Sequence, residues 1–149
     1  MEIKILLDET IKNNASDLHL LPGIHPAIRI DGVLRYLTNY PPLTSEVMEQ
    51  MVFSLLKPDQ KQLLLNNKEL DFSFGFGGGT YGDLGRFRTN LYFQRGVLSG
   101  AFRFLQPVIR TIEELNLPKV CHSFAELKQG FVLVTGPTGE GKSTTIAAL

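Results

Sequence analysis

A glycine-rich stretch near the C-terminal end of this sequence holds the residues best suited to chemistry. Residues 136–143 match G-x-x-x-x-G-K-[ST], the pattern of loops that cradle nucleotide phosphates. Its glycines let backbone N–H groups approach phosphate oxygens, its lysine reaches the β- and γ-phosphates, and its serine holds Mg²⁺. The sequence therefore predicts that ATP and Mg²⁺ bind here, with Ser143 on the metal and these residues around the nucleotide: Gly136, Pro137, Thr138, Gly139, Glu140, Gly141, Lys142, Ser143 and Thr144.

The residues on either side of this loop predict the elements that must position it. Residues 131–134 form a continuous apolar run, typical of a parallel strand buried on both faces, and residues 143–149 are compatible with a helix. A glycine-rich turn that contains Lys-Ser by chance is the alternative, which the agreement of strand, loop and helix disfavours. An ATPase also needs an acidic residue on a later strand, and only six residues follow Ser143. We therefore expect a fragment of a longer enzyme, inactive by itself.

Composition narrows the class of protein. The 149 residues are 43% hydrophobic and 20% charged, which predicts a folded chain with a core. Fifteen basic residues balance fifteen acidic ones, so no nucleic-acid partner is expected. The single cysteine, Cys121, excludes an internal disulfide. Because no apolar run approaches the ~18 residues of a membrane span, we expect a cytoplasmic protein with no direct membrane insertion.

The first two thirds of the chain predict a mixture of helices and antiparallel strands. A glycine-rich connection at 75–85 includes G-x-G-x-x-G, which we interpret as a hairpin tip because a strand follows it rather than a helix. Pro107 and the local composition predict a domain boundary near residues 106–110. The patterns predict helices over 2–14, 44–56, 58–65, 111–115 and 118–127, and strands over 16–20, 27–30, 33–37 and 70–74.

A long hairpin, residues 86–93 and 97–105, is predicted around Arg95-Gly96. Pairing Gln94 with Val97 sets a register that places Phe87 opposite Phe104 on one face. The other face then carries Arg86, Arg88 and Arg103, with the last two directly opposite each other. Like charges in that position destabilise a sheet unless an anion lies between them. The alternative is a solvated face on which screening makes the repulsion small.

Several motifs, taken in order, resemble the secretion ATPases, the hexameric motors of type IV pili and type II secretion. Their order and spacing are most similar to the pilus retraction (twitching motility) type, and they cover nearly the whole chain. Glu140 departs from the family, in which serine is common at this position, and we expect its side chain to point outward. The motifs are residues 15–20, 28–32, 71–74, 85–90 and 136–145.

The resemblance implies a fold class and a set of roles. It implies a PAS-like α+β domain at 1–107, an antiparallel sheet with helices, followed by the truncated start of a RecA-like α/β P-loop domain at 108–149. It also implies that arginines of the first domain reach the nucleotide phosphates. By motif these are Arg86, Arg88 and Arg103, with Arg29 a weaker candidate. The implied partners are copies of the same chain in a homo-hexamer and an inner-membrane platform protein, which would hold the motor at the inner membrane.

Two alternatives remain open from the sequence. Within the class, the chain belongs to a pilus assembly or type II secretion ATPase. In a different class, it is a non-catalytic PAS-like module that binds a ligand or a partner. His19 and His25 have no Cys or His cluster near them in the sequence, so a metal site is not expected. We interpret His19 as a hydrogen-bonded strand residue.

Overall fold

The computed structural model describes residues 1–77, 83–105, 109–137 and 140–149, without the side chains of Asp83 and Leu84. The chain divides into two compact units, Met1–Gln106 and Pro107–Leu149. The helices of the first unit are α1 (Ile3–Lys12), α2 (Ser45–Phe53) and α3 (Pro58–Asn67). Its strands are β1 (Asp17–Leu20), β2 (Ala27–Ile30), β3 (Val33–Tyr36), β4 (Glu69–Gly77), β5 (Asp83–Gln94) and β6 (Val97–Leu105).

The six strands of the first unit form one sheet in the order β3-β2-β1-β6-β5-β4. Every neighbouring pair is antiparallel, which confirms the predicted antiparallel sheet with helices. Strand β6 pairs with β1 on one side and with β5 on the other. The first and the last strand of the first unit thus lie side by side in the middle of the sheet.

Local turn chemistry explains the two tight hairpins. Asp31 and Gly32 have φ of 48° and 80°, and Arg95 and Gly96 have φ of 52° and 82°. Two successive left-handed residues make a turn whose twist matches that of the flanking strands. The predicted register of the second hairpin is confirmed, with Gln94 opposite Val97 and each pairing that follows from it.

One face of the sheet, which we call the inner face, is covered by the helices of the first unit. Antiparallel pairing brings Leu18 beside Phe102 and places both on this face. These side chains are fully buried and join residues of all three helices in one core. The buried core comprises Ile3, Leu6, Leu7, Ala15, Leu18, Leu20, Ile28, Leu43, Met48, Met51, Val52, Leu64, Phe87, Leu91, Leu98 and Phe102.

Several predicted boundaries in the first unit differ from the structure. Strands β4 and β5 extend to Gly77 and from Asp83, so part of the predicted connection at 75–85 is paired strand. The cross-strand bonds of a long hairpin outweigh the weak strand preference of glycine there. The core of the G-x-G-x-x-G match, residues 78–82, lies outside the described residues. The predicted helix at 44–56 ends at Phe53, and Thr44 caps it by accepting a hydrogen bond from the Val47 N–H at 3.3 Å.

The second unit contains two short helices, α4 (Val120–Ala125) and α5 (Lys142–Ala148). The predicted helix at 111–115 is only a turn, although Thr111 and Glu114 exchange both capping hydrogen bonds, at 2.9 and 3.2 Å. A single capped turn is too short to propagate.

The predicted strand at 131–134 is wrong for this structure. These residues adopt no strand, and Phe131 and Leu133 are 86% and 70% exposed. A parallel strand exists only when a neighbour accepts and donates its hydrogen bonds. None of the strands in the described ranges pairs with this segment.

Gly85 offers a sharp test of the hairpin packing. Its φ is 141°, and a Cβ built on it would lie 2.7 Å from the Leu105 carbonyl oxygen. We expect Gly85→Ala to lower the free energy of unfolding by about 1–3 kcal/mol, because a backbone atom cannot move aside cheaply. Urea denaturation of the chain measures the change.

The matched control is Gly75→Ala, also in the β4–β5 pair. No atom lies within 4 Å of a Cβ built at Gly75. We expect this variant to stay within about 0.5 kcal/mol of the parent. Equal effects of the two substitutions would contradict the close approach at Gly85.

Candidate functional site

The face of the sheet opposite the core carries the predicted arginines, and we call it the outer face. Arg86 and Arg88 lie there on β5, and Arg103 lies there on β6. Arg88 stands directly opposite Arg103, as the hairpin register predicts. Strand alternation places these residues here because their neighbours Phe87 and Phe102 are fully buried on the inner face.

Four of the outer-face residues form one row across adjacent strands. Arg29 on β2 pairs with Asp17 on β1, Asp17 pairs with Arg103 on β6, and Arg103 pairs with Arg88 on β5. Cross-strand neighbours of this kind have Cβ atoms about 5 Å apart, close enough for their side chains to interact. The row therefore reads Arg29, Asp17, Arg103, Arg88, with the carboxylate between two guanidinium groups.

Asp17 is the anion in this row, and sequence reasoning missed it. Its Oδ1 accepts a hydrogen bond from Arg103 Nε at 3.0 Å, and its Oδ2 lies 3.5 Å from Arg29 Nε. Ser16 Oγ also donates to Oδ2, at 2.8 Å. The Asp17 side chain is only 10% exposed, so its charge needs these partners. The alternation of residues 16–20 predicts that Asp17 and Leu18 point to opposite faces of the sheet. It does not predict which strand pairs with β1.

Burial and hydrogen bonding act in opposite directions on Asp17. Burial alone raises the pKa of its carboxyl group, but the hydrogen bonds from Ser16 and Arg103 and the charge of Arg103 outweigh that effect. The pKa of Asp17 therefore lies below its usual value. Asp17 is ionised at neutral pH, as its position between two arginines requires.

A polar depression of ≈ 220 Å³ opens on the outer face next to this row. His19 lines it, and its Nε2 atom is buried without a hydrogen-bond partner among the described residues. The prediction of a hydrogen-bonded His19 is therefore wrong at this atom. Burial lowers the pKa of His19, and the charges of Arg29 and Arg103 add to that effect against the opposing charge of Asp17. The lining residues are Asp17, His19, Asp71, Arg88, Asn90, Ala101 and Arg103.

Arg88 differs from Arg103 in its partners. Both side chains are exposed, that of Arg103 by 66%. Arg103 is bonded to Asp17, whereas neither Arg86 nor Arg88 forms a salt bridge with any acidic side chain that the structure describes. Arg86 and Arg88 are thus available to an external anion in this structure, while Arg103 already holds a carboxylate.

The glycine-rich loop lies in the second unit. Gly141, with φ of 78°, immediately precedes helix α5, a backbone conformation that glycine adopts without strain. Lys142 Nζ donates a hydrogen bond to the Pro137 carbonyl oxygen at 2.5 Å. Ser143, Thr144, Glu140, Gly136 and Pro137 are exposed, while Thr138 and Gly139 lie outside the described residues. The outward orientation of Glu140 stays a prediction.

The loop residues that are described fit a nucleotide. A lysine ammonium has three donors, so the bond from Lys142 to Pro137 leaves two for phosphate oxygens. No group of three metal-ligating His, Cys, Asp or Glu side chains occurs in the described ranges. Mg²⁺ at Ser143 would therefore depend on phosphate oxygens of the nucleotide for further ligands.

No helix in the described ranges has the length and apolar character to cross a membrane.

Comparison with known proteins shows which sequences this chain resembles. The chain is 38% identical over all 149 residues to "Type IV pilus retractation ATPase PilT" of Pseudomonas aeruginosa, of which it covers 42%. The chain is PilT-like. It is also 32% identical over its full length to "Type IV pilus ATPase PilU" of the same organism, covering 37% of it. A "Twitching motility protein" of Neisseria gonorrhoeae is 37% identical over 124 residues, covering 83% of this chain and 32% of that protein.

Solved structures agree with the PilT-like sequence. The crystal structure of the pilus retraction motor PilT with bound ADP is 40% identical, with a TM-score of 0.79 over 99% of this chain and 42% of that one. The ATPase DotB of Legionella pneumophila, 24% identical, shares the fold with a TM-score of 0.83 over 98% of this chain and 40% of that one. No protein-family model matches the chain. The chain spans less than half the length of the curated relatives named here, and the motif-based resemblance to pilus ATPases is confirmed.

Asp17 generates a prediction about acid stability. Because its folded pKa is lowered, Asp17 contributes stability that is fully present above its unfolded pKa of about 3.9 and is lost as pH falls through the folded value. We expect Asp17→Asn to lower the free energy of unfolding by about 1 kcal/mol at pH 7. The loss is small because Arg103 is exposed and water replaces part of the lost interaction. The gap should close as pH falls below about 4.

Urea denaturation at pH 7, 5 and about 3 measures this gap. The control is Asp71→Asn, an exposed carboxylate on the same outer face with no salt bridge among the described side chains. We expect that variant to stay near the parent at each pH. A gap for Asp17→Asn that widens in acid would rule out the stabilising ion pair.

Proposed function

We propose that the chain is the N-terminal part of an ATP-hydrolysing motor that powers type IV pilus retraction. The observation that supports this most directly is the nucleotide-binding loop at 136–143, in a chain 38% identical to PilT over its full length. The solved PilT with bound ADP supports nucleotide binding by such a sequence. The first unit corresponds to the PAS-like domain and the second to the start of the RecA-like domain.

In this proposal the loop binds the nucleotide and the metal. Bound Mg-ATP would supply the phosphoanhydride bond and a divalent charge. Lys142 would direct its ammonium to the β- and γ-phosphates, and Ser143 would hold the metal. The backbone N–H groups of residues 138–144 would bind the remaining phosphate oxygens. The bond from Lys142 to the Pro137 carbonyl keeps the ammonium within the loop before nucleotide arrives.

The arginines of the outer face would stabilise the negative charge that develops on the phosphates during hydrolysis. Donors held by a sheet need little reorganisation at the moment of reaction, which is why such groups contribute strongly to rate. Arg86, Arg88 and Arg103 would reach a nucleotide in a homo-hexamer docked on an inner-membrane platform protein. We place the motor in the cytoplasm, at the membrane only through that partner.

Turnover by the complete gene product tests the proposal. We expect Lys142-dependent ATP hydrolysis there, and none above background from residues 1–149, because an acidic residue that orients metal and water does not follow the loop. Lys142→Ala should lower kcat at least ~10²-fold, and Lys128→Ala, in the same unit, should not. Nucleotide binding without turnover in the complete product would favour the binding module.

Arg88 gives a second test in the complete gene product. We expect Arg88→Ala to lower kcat by roughly 10²-fold while the fold is retained, because a donor to the developing charge is lost. Arg35→Ala is the matched control, an exposed arginine on the edge strand β3. Steady-state kinetics and a thermal melt of each variant provide the measurement. Equal turnover of Arg88→Ala and Arg35→Ala would contradict a catalytic role of Arg88 and favour the interpretation of the outer face as a solvated surface.

A further inference from the structure

The outer-face row has an asymmetry that the arginine pair alone does not explain. Arg88 and Arg103 face each other on β5 and β6, and two guanidinium groups at that spacing repel. Asp17 lies on β1, on the other side of β6 from Arg88. A bond from Arg103 Nε to Asp17 therefore directs the Arg103 side chain toward β1 and away from Arg88.

Asp17 is itself held from two other directions. Ser16 Oγ bonds its Oδ2 at 2.8 Å, and Arg29 approaches the same oxygen from β2. Arg29 is fixed in turn, because its Nη1 donates to the Gly32 carbonyl oxygen at 3.1 Å. The position of the carboxylate is therefore fixed by its contacts with Ser16 and Arg29. A guanidinium group bonded to it is fixed relative to the sheet as well.

The bond to Asp17 occupies only one part of the Arg103 guanidinium. Arginine has five N–H donors, and the Nε–H bond leaves the four on the two Nη atoms. The side chain is 66% exposed, so those donors face solvent. Three arginines and one aspartate leave the row with a net charge of +2, concentrated on the Arg103 and Arg88 side.

We propose that Asp17 is a positioning residue that holds Arg103 by its Nε. The Nη edge of Arg103 and Arg88, which has no salt bridge to any described side chain, then form the phosphate-facing pair together. This role rests on the proposed function. Asp17 touches no phosphate and acts only through Arg103. Arg29 and Ser16 fix the carboxylate, and Arg88 contacts the anion independently of it.

The tether can be tested in the 149-residue chain without any nucleotide. Arginine Nε–H resonances in ¹⁵N NMR report exchange with water one side chain at a time. We expect the Arg103 Nε–H to exchange more slowly than that of Arg88, to lose this protection in Asp17→Ala, and to keep it in Asp71→Ala. Should Asp17→Ala not fold, Asp17→Asn is expected to reduce the protection. Equal exchange at Arg103 and Arg88 in the parent chain would overturn the tether.

The consequence for turnover is tested by a double-mutant cycle in the complete gene product. We expect Asp17→Ala to lower kcat roughly tenfold to hundredfold, with a smaller change in KM, because a misplaced group costs rate more than binding. In an Arg103→Ala background the same substitution should have almost no further effect, whereas in Arg88→Ala its effect should persist. Asp17→Asn should retain more activity than Asp17→Ala, since an amide oxygen still accepts a hydrogen bond.

Each outcome of the cycle is informative. Additive losses for Asp17→Ala and Arg103→Ala would show that Asp17 acts on something other than Arg103, and the role would be wrong. A merely structural Asp17 would lower the melting temperature and leave kcat per folded enzyme unchanged. A complete product with no Lys142-dependent turnover would refute the proposed function together with this role in it, while the exchange measurement decides separately whether Asp17 holds Arg103.

Discussion

The register of β6 between β1 and β5 is the constraint on which the first unit depends. Phe102 must face the helices, and alternation then sends Arg103 to the outer face. The same pairing sets Leu18 beside Phe102 and Asp17 beside Arg103 in one step. A slip of one residue would drive Arg103 into the core and separate it from its carboxylate. The packing of the inner face therefore sets the register that brings the arginines and Asp17 together on the outer face.

Charge compensation explains how the sheet tolerates that row. Two arginines directly opposite each other destabilise a sheet, and the sequence allowed either a bound anion or solvent to relieve them. The structure supplies an internal anion, Asp17, but only to Arg103 and Arg29. One carboxylate for three arginines leaves the charge of Arg88 uncompensated within the row. Arg88 is exposed, so water solvates its charge. An external anion next to Arg88 would gain a more favourable electrostatic interaction than on a neutral face.

Local signals could be predicted from the sequence, whereas pairing between distant segments could not. The β5–β6 register was predictable because the turn contains only two residues, Arg95 and Gly96, and so sets Gln94 opposite Val97. The hydrogen bond between Arg103 and Asp17 joins residues that are 86 positions apart. No pattern in either segment predicts that the two strands pair. The same packing buries Nε2 of His19, which has no hydrogen-bond partner among the described residues, so the prediction of a hydrogen-bonded His19 is wrong at that atom. The match of residues 136–143 to a nucleotide-binding pattern is visible in the sequence because all of its residues are contiguous.

The second unit shows the same division between local and non-local bonds. Helix α5 forms directly after Gly141 because each of its hydrogen bonds joins residues close in sequence, beginning with Thr145 N–H to the Gly141 carbonyl at 2.9 Å. The apolar run at 131–134 has no such option, since a strand takes all of its bonds from neighbours. The helix and the bond from Lys142 to Pro137 therefore persist where the preceding strand does not. It follows that the side chains proposed to bind phosphate are organised by their own turn and helix, while the direction in which the loop presents them would depend on a strand at 131–134. The arginine face has no comparable dependence, because all of its strands are paired within the first unit.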